Sequence, residues 1–175
     1  DAGEGGVGGG VYARNASISI SDVLISRNTA WDVGPGVYAE WSLVEIDGAE
    51  LSSNGGGWST GGLHVYGSEL HLTDSTVSET TMSGSGGGVY VDYSTAVLES
   101  VEIMDTTVSS VYRDESDYSM GGGLYLYYSD VQLIDSEVSG NTARTGGGIF
   151  LEYGVNLEIV DSDFATNSRY DIYFV

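Results

Sequence analysis

A motif of about 26 residues recurs along the chain and constrains the fold more than any other feature of the sequence. Glycine clusters precede short apolar-aromatic segments whose first residues lie 26, 26, 26, 35 and 25 positions apart. These segments are Val11-Tyr12-Ala13, Val37-Tyr38-Ala39, Leu63-His64-Val65, Val89-Tyr90-Val91, Leu124-Tyr125-Leu126 and Ile149-Phe150-Leu151, and Ile172-Tyr173-Phe174 starts a seventh. Because one such unit cannot bury its own apolar face, the units are expected to stack.

Each unit predicts about three short strands, separated by turns rich in Gly, Ser, Asp and Asn. Apolar residues recur at one distance from the start of every unit, such as Ile18, Val44 and Val131, and one extra residue in the sixth unit brings Leu157 into line. An antiparallel sandwich or propeller blade gives no reason for this recurrence, whereas stacked coils do. The sequence therefore predicts an all-β fold, a right-handed parallel β-helix (β-solenoid) of about six coils of roughly 26 residues.

The repeat covers nearly all of residues 1–175, which predicts a single β-helix domain that is a fragment of a longer repeat protein. Residues 107–120 are interpreted as a loop insertion in the fourth coil. Within it, Asp114, Glu115 and Asp117 are candidate oxygen ligands for calcium, and a solvated loop is the alternative. The sequence requires no cofactor, and calcium is the ion that this loop would suit.

The charge of the chain narrows the choice of partners. The sequence has 26 acidic residues, five Arg and no Lys, which gives a formal net charge of -21. Such a charge repels nucleic acids and anionic membranes, and no apolar run is long enough for direct membrane insertion. Glycans or surface proteins are better suited. Unpaired strand edges at the ends of a solenoid also predict end-to-end self-association of copies, or further coils in the parent protein.

Two segments carry a resemblance to known repeats. Gly146-Gly147-Gly148-Ile149 and Phe164-Ala165-Thr166-Asn167 resemble the GGA(I/L/V) and FxxN repeats of chlamydial polymorphic outer-membrane proteins, and the wider set of bacterial right-handed β-helix repeat proteins. In those families the repeats form a surface passenger that serves in adhesion or as a stalk. The third position here is Gly rather than Ala, and Phe164 is the one Phe in its place. The resemblance implies an extracellular or cell-surface bacterial location, with any signal or anchor outside this fragment.

Two columns of side chains stand out. If Val11 and its equivalents point inward, their neighbours point outward on one sheet face. The ligand-binding candidates on this face are Tyr12, Tyr38, His64, Tyr90, Tyr125 and Phe150. A platform for sugars or a protein surface is one interpretation, and rings that only stabilise neighbouring coils are the other. The second column is predicted to be a structural ladder at a turn, formed by Asn28, Asn54, Thr80, Thr106, Asn141 and Asn167.

The predicted function is that of a non-enzymatic structural or adhesive module, such as a surface stalk, an adhesin or a component of a self-assembling fibre. The alternative is a carbohydrate-binding or polysaccharide-cleaving β-helix of the pectate-lyase kind, because the fold hosts such activities. No catalytic residue is predicted, since His64 and His71 lie on different strands and Arg113 has no clear set of acids in register. An ice-binding solenoid is a minor alternative, because the outward columns carry Tyr and acids rather than Thr.

Overall fold

The computed structural model describes residues 6–58, 60–109 and 119–175, which wind as a parallel β-solenoid of about six coils. Every strand pairs in parallel with the equivalent strand of the next coil, as Val11 does with Val37 and Leu124 with Ile149. The predicted architecture is therefore confirmed. Within these described ranges there is no helix of the length and apolarity that a membrane crossing needs.

Each coil passes through the same sheets in the same order. The first sheet contains the strands Val11–Arg14, Val37–Glu40, Leu63–Tyr66, Val89–Asp92, Leu124–Tyr127, Ile149–Glu152 and Ile172–Phe174. The second contains Ser17–Ser21, Leu43–Asp47, Glu69–Thr73, Thr95–Glu99, Asp130–Ile134 and Asn156–Val160. The third contains Leu24–Ser26, Glu50–Ser52, Thr76–Ser78, Glu102–Met104, Glu137–Ser139 and Asp163–Ala165.

A fourth sheet goes beyond the three strands per coil that the sequence predicts. It contains the two-residue strands Thr29–Ala30, Gly55–Gly56, Thr81–Met82 and Thr107–Val108. Two residues are too few to show a period, and Gly55–Gly56 has no side chains to show one. The strand Thr107–Val108 lies inside the segment 107–120 that was interpreted as an insertion, and it continues the stack. The strands on either side of this segment stay in register, since Val89 pairs with Leu124.

Alternating strand residues form the core. The inward residues of the first sheet, such as Val37, Leu63 and Val89, are fully buried, and they pack with inward residues of the other two long sheets, such as Leu98 and Ile103. A smaller, separate cluster of Met82, Val108 and Ala143 lies at the short fourth strands. Residues that lie on the opposite side of each strand form the outer faces on which a ligand site has to be built.

Each coil has four turns with left-handed backbone: the corners that follow the first, second and third sheets, and the glycine turn that precedes the first sheet. At the second corner the residues in this conformation include Asp22, Asp74 and Asp135, with φ of +52°, +46° and +48°. Aspartate accepts this conformation because its short side chain bonds to nearby backbone, so turn chemistry accounts for these acids. At the first corner, which follows the first sheet, the residues in left-handed backbone are mostly large aromatic residues.

The predicted polar ladder follows the third sheet, where its amides bond from coil to coil. Asn28 donates from Nδ2 to Asn54 Oδ1 at 3.1 Å, and Asn54 donates to the carbonyl of Ile25 at 2.7 Å. Asn54 and Asn141 are completely buried. Their side chains therefore satisfy backbone groups that the turn leaves without partners.

Candidate functional site: an exposed aromatic strip

The outward side chains of the first sheet form the column of rings that the sequence predicts. Ring centroids lie 5.7 Å apart for Tyr12 and Tyr38, 4.6 Å for Tyr90 and Tyr125, and 5.2 Å for Tyr125 and Phe150. All three pairs are stacked face to face, which turns most ring faces toward other rings.

Half of this column is hidden from solvent. His64, Tyr125 and Phe150 retain only 5 %, 4 % and 2 % of their accessible surface. The glycine corner of each coil packs against the rings, so that a Cβ on Gly86 would lie 2.6 Å from Cδ2 of Tyr90. The three buried rings therefore pack as part of the scaffold and have little surface to offer a ligand. Sequence periodicity places them on the outer face but does not reveal what covers them.

A second set of rings lies beside the first column and is open to solvent. We call it the aromatic strip, and it consists of Trp41, Tyr66, Tyr93, Tyr127, Tyr128 and Tyr153. Trp41 and Tyr93 are each 52 % exposed. Tyr93 stacks on Tyr128 at 5.2 Å, and Tyr127 meets Tyr128 edge-on at 4.8 Å. The strip is thus one continuous exposed aromatic surface along the rod.

Four residues of the strip occupy the first corner in left-handed backbone. The angle φ is +52° at Trp41, +45° at Tyr93, +43° at Tyr128 and +45° at Tyr153. For a bulky side chain this conformation costs roughly 1–2 kcal/mol, and a stacked ring pair returns about 0.5–1.5 kcal/mol. The same corner is formed by Asn15 in the first coil and Gly67 in the third, both of which suit it. The rings are therefore not what the corner itself requires, and stacking between them offsets most of the backbone cost.

Glycines one coil further along let the rings lie flat against the rod. A Cβ on Gly67 would lie 2.5 Å from the indole of Trp41, and a Cβ on Gly154 would lie 2.8 Å from the ring of Tyr128. Each ring occupies the place that a side chain on the next coil would take. The strip is thereby kept close to the backbone and shallow.

Carboxylates alternate with tyrosines in the column that ends each strand of the first sheet. Glu40 accepts a hydrogen bond from the hydroxyl of Tyr12 at 2.5 Å and lies 3.5 Å from Nε of Arg14. Glu152 accepts one from the hydroxyl of Tyr125. Asp92 lies between them along the rod, and burial raises the pKa of its carboxyl to about 6. Its buried Oδ1 has no hydrogen-bond partner among the residues that the structure describes.

His64 is the second buried polar group without a complete set of partners. Its Nδ1 lies 2.6 Å from Oγ1 of Thr60, while Nε2 has no partner within the described part of the chain. Burial lowers the pKa of His64 to about 3, so the imidazole is neutral near pH 7. Its partner Thr60 and the ring of Tyr90, 4.6 Å away, give it a packing role.

The predicted calcium ligands Asp114, Glu115 and Asp117, together with Arg113, lie outside the described residues. Across the part of the chain that is described, no group of three or more His, Cys, Asp or Glu side chains is placed to hold a metal.

A shallow groove of about 420 Å³ on the outer face of the second sheet is lined by Glu69, His71 and other strand residues. Its histidine bonds to Glu69 at 3.0 Å.

The sequence does contain a signal for the strip. In the second, fourth and fifth units an aromatic residue directly precedes a serine, as in Trp41-Ser42, Tyr93-Ser94 and Tyr128-Ser129. Each of these serines accepts a hydrogen bond from a backbone N–H of the preceding coil. Ser42 Oγ, for example, accepts one from the N–H of Ala16 at 3.1 Å. The serines therefore mark the residues before them as corner positions, where large rings are unexpected.

The comparisons with known proteins agree with the fold. The family model described as "Right handed beta helix region" matches residues 9–175, so the chain belongs to the right-handed β-helix family. No curated protein and no solved structure matches the chain. The family includes enzymes and non-enzymes, and its match therefore defines the architecture and not the activity.

Proposed function

We propose that this chain is a non-enzymatic structural and adhesive module of an extracellular or cell-surface bacterial protein, and that the aromatic strip is its binding surface. The observation that carries the proposal is the set of exposed rings at strained corners, Trp41, Tyr93, Tyr128 and Tyr153. Rings in such positions are not required by the turn, and they are available to a ligand. Glycans and surface proteins are the ligands that such a surface suits.

The shape of the strip supports this proposal. It runs from Trp41 in the second coil to Tyr153 in the sixth, which is about 20 Å along the rod at the usual strand spacing. A shallow, open surface of that length fits an extended chain or a flat partner better than a small molecule. The likeness of two segments to the repeats of bacterial surface proteins supports the cell-surface location, and calcium and end-to-end contacts between copies remain part of the proposal.

Replacing Tyr93 and Tyr128 by asparagine should remove binding without harming the fold. Retention on the best surface of a polysaccharide and cell-surface-protein panel should fall by roughly 10- to 30-fold, since each ring contributes about 1 kcal/mol. The free energy of unfolding should stay the same or rise, because asparagine accepts positive φ more readily than tyrosine does. Retention is measured with and without calcium, and unfolding is followed in urea.

Tyr170→Asn is the matched control, because Tyr170 is 54 % exposed and lies outside the strip. It should leave retention unchanged. Newly released chain ends are scored in the same wells, and their appearance would favour the polysaccharide-cleaving alternative. Unchanged retention by the double variant would show that the strip is not the binding surface.

A further inference from the structure

One carboxylate beside the aromatic strip lacks the partner that its equivalents have. Glu40 and Glu152 occupy the same position two coils away on either side, and each accepts a tyrosine hydroxyl. Asp92 Oδ1 is buried, and no residue in the described ranges donates a hydrogen bond to it. A buried carboxylate oxygen without a donor is unfavourable. The Asp92 side chain as a whole is half-buried, so a partner group can approach the carboxylate from its solvent side.

Tyrosine rings frame this carboxylate. The residues paired with Asp92 on the two neighbouring strands are Tyr66 and Tyr127, and the next residue in the chain is Tyr93. The ring of Tyr93 meets the other two edge-on, with centroids 6.1 Å from Tyr66 and 5.4 Å from Tyr127. Aromatic rings beside an anionic group form an environment that attracts a cation through both the charge and the ring quadrupoles.

Deepening the proposed function, on which this inference rests, we infer that Asp92 with Tyr66, Tyr93 and Tyr127 binds a lysine or arginine side chain of a protein partner. The Asp92 carboxylate supplies the counter-charge, and the rings cover the apolar stem and contact the cationic head. A basic surface protein is favoured over a neutral glycan because a sugar hydroxyl cannot neutralise the carboxylate.

The charge of the whole chain favours the same class of partner. The formal net charge is -21, and the sequence has no Lys and only five Arg, so the chain supplies few cations of its own. Arg14, which holds the equivalent position three coils away, is engaged with Glu40 at 3.5 Å. A field of this sign steers basic partners toward the rod and speeds their association.

The inference makes binding dependent on pH. Burial raises the pKa of Asp92 to about 6, and a cation binds its ionised form. At pH 5 about one tenth of this carboxyl is ionised, so affinity for a cationic side chain should be about tenfold lower than at pH 7.5. Asp92→Asn should abolish this difference in affinity between pH 5 and pH 7.5.

The test uses a Gly/Ser peptide that carries three lysines, and the same peptide with norleucine in place of each lysine. Calorimetry should show binding of the lysine peptide to the unaltered chain at pH 7.5, and at least about tenfold weaker binding to Asp92→Asn, which corresponds to about 1.4 kcal/mol. Glu69→Gln removes an exposed carboxylate from the second sheet and should change the affinity less than about twofold, since an exposed charge contributes little.

Folding of Asp92→Asn is checked by thermal unfolding at pH 7. A carboxyl whose pKa is raised in the folded state destabilises the fold as pH rises above its unfolded pKa, so the variant should melt at the same or a higher temperature. Equal binding of the norleucine peptide, or unchanged lysine binding by Asp92→Asn, overturns the inference. If, in that case, the variant with Tyr93 and Tyr128 replaced by asparagine still loses retention on the panel, the proposed function stands without this inference.

Discussion

Replacing Asn141 by alanine is expected to lower the free energy of unfolding by about 3–4 kcal/mol, because two buried backbone groups lose their partners. Its Oδ1 accepts the N–H of Thr106 at 3.1 Å and the hydroxyl of Thr106 at 2.9 Å. Its Nδ2 donates to the carbonyl of Ile103 at 2.9 Å and to Oδ1 of Asn167 at 3.1 Å. No water can reach these groups, since Asn141 and Thr106 are completely buried.

Urea unfolding followed by circular dichroism measures this loss. Asn156→Ala is the control, because Asn156 lies exposed on the second sheet, and its free energy of unfolding should change by less than about 0.5 kcal/mol. A loss at Asn141 no larger than the loss at Asn156 would mean that the ladder does not hold the coils together.

Replacing His64 by phenylalanine is expected to protect the fold against acid. Burial lowers the pKa of His64 to about 3 in the folded state, and the unfolded value is about 6.5. Between these values the unfolded chain binds a proton that the folded chain does not, so stability falls as pH drops from 6.5 toward 3. At pH 4 the lost stability is about 3 kcal/mol, at 1.36 kcal/mol per pH unit.

The His64→Phe variant lacks this titration, and Phe150 in the same column shows that the position accepts a buried phenylalanine. The difference in unfolding free energy between pH 7 and pH 4 should therefore be smaller in the variant by about 3 kcal/mol. His71→Phe changes the half-buried histidine of the second sheet and serves as the comparison. Equal acid sensitivity of the unaltered chain and His64→Phe would contradict the prediction.

The architecture could be predicted because residues that stack on one another in a solenoid lie one repeat length apart in the sequence. Val44 and Val131 recur at one offset because they stack in one column, and the extra residue in the sixth unit does bring Leu157 into register with Val131. The fourth sheet could not be predicted in the same way. Its strands have two residues, and Gly55–Gly56 offers no side-chain pattern at all.

The site was harder to predict, because exposure and backbone conformation depend on packing between elements. The spacing places Tyr125 on the outer face but does not show that the chain buries it there. Nothing about Tyr93 as a residue type indicates positive φ, and the missing partner of Asp92 appears only when the neighbouring side chains have positions. The calcium ligands suggested for Asp114, Glu115 and Asp117 stay a prediction.

The in-register stacking of coils has a mechanical consequence. The hydrogen bonds that join one coil to the next, including the Asn28–Asn54 contact, all run along the rod axis. A force that pulls the two ends of the chain apart would load these bonds one coil at a time and peel the outermost coil first. Each detached coil of about 26 residues would lengthen the chain by about 80 Å, against the 4.8 Å or so that it spans when stacked. The rod would therefore yield under tension in steps of one coil.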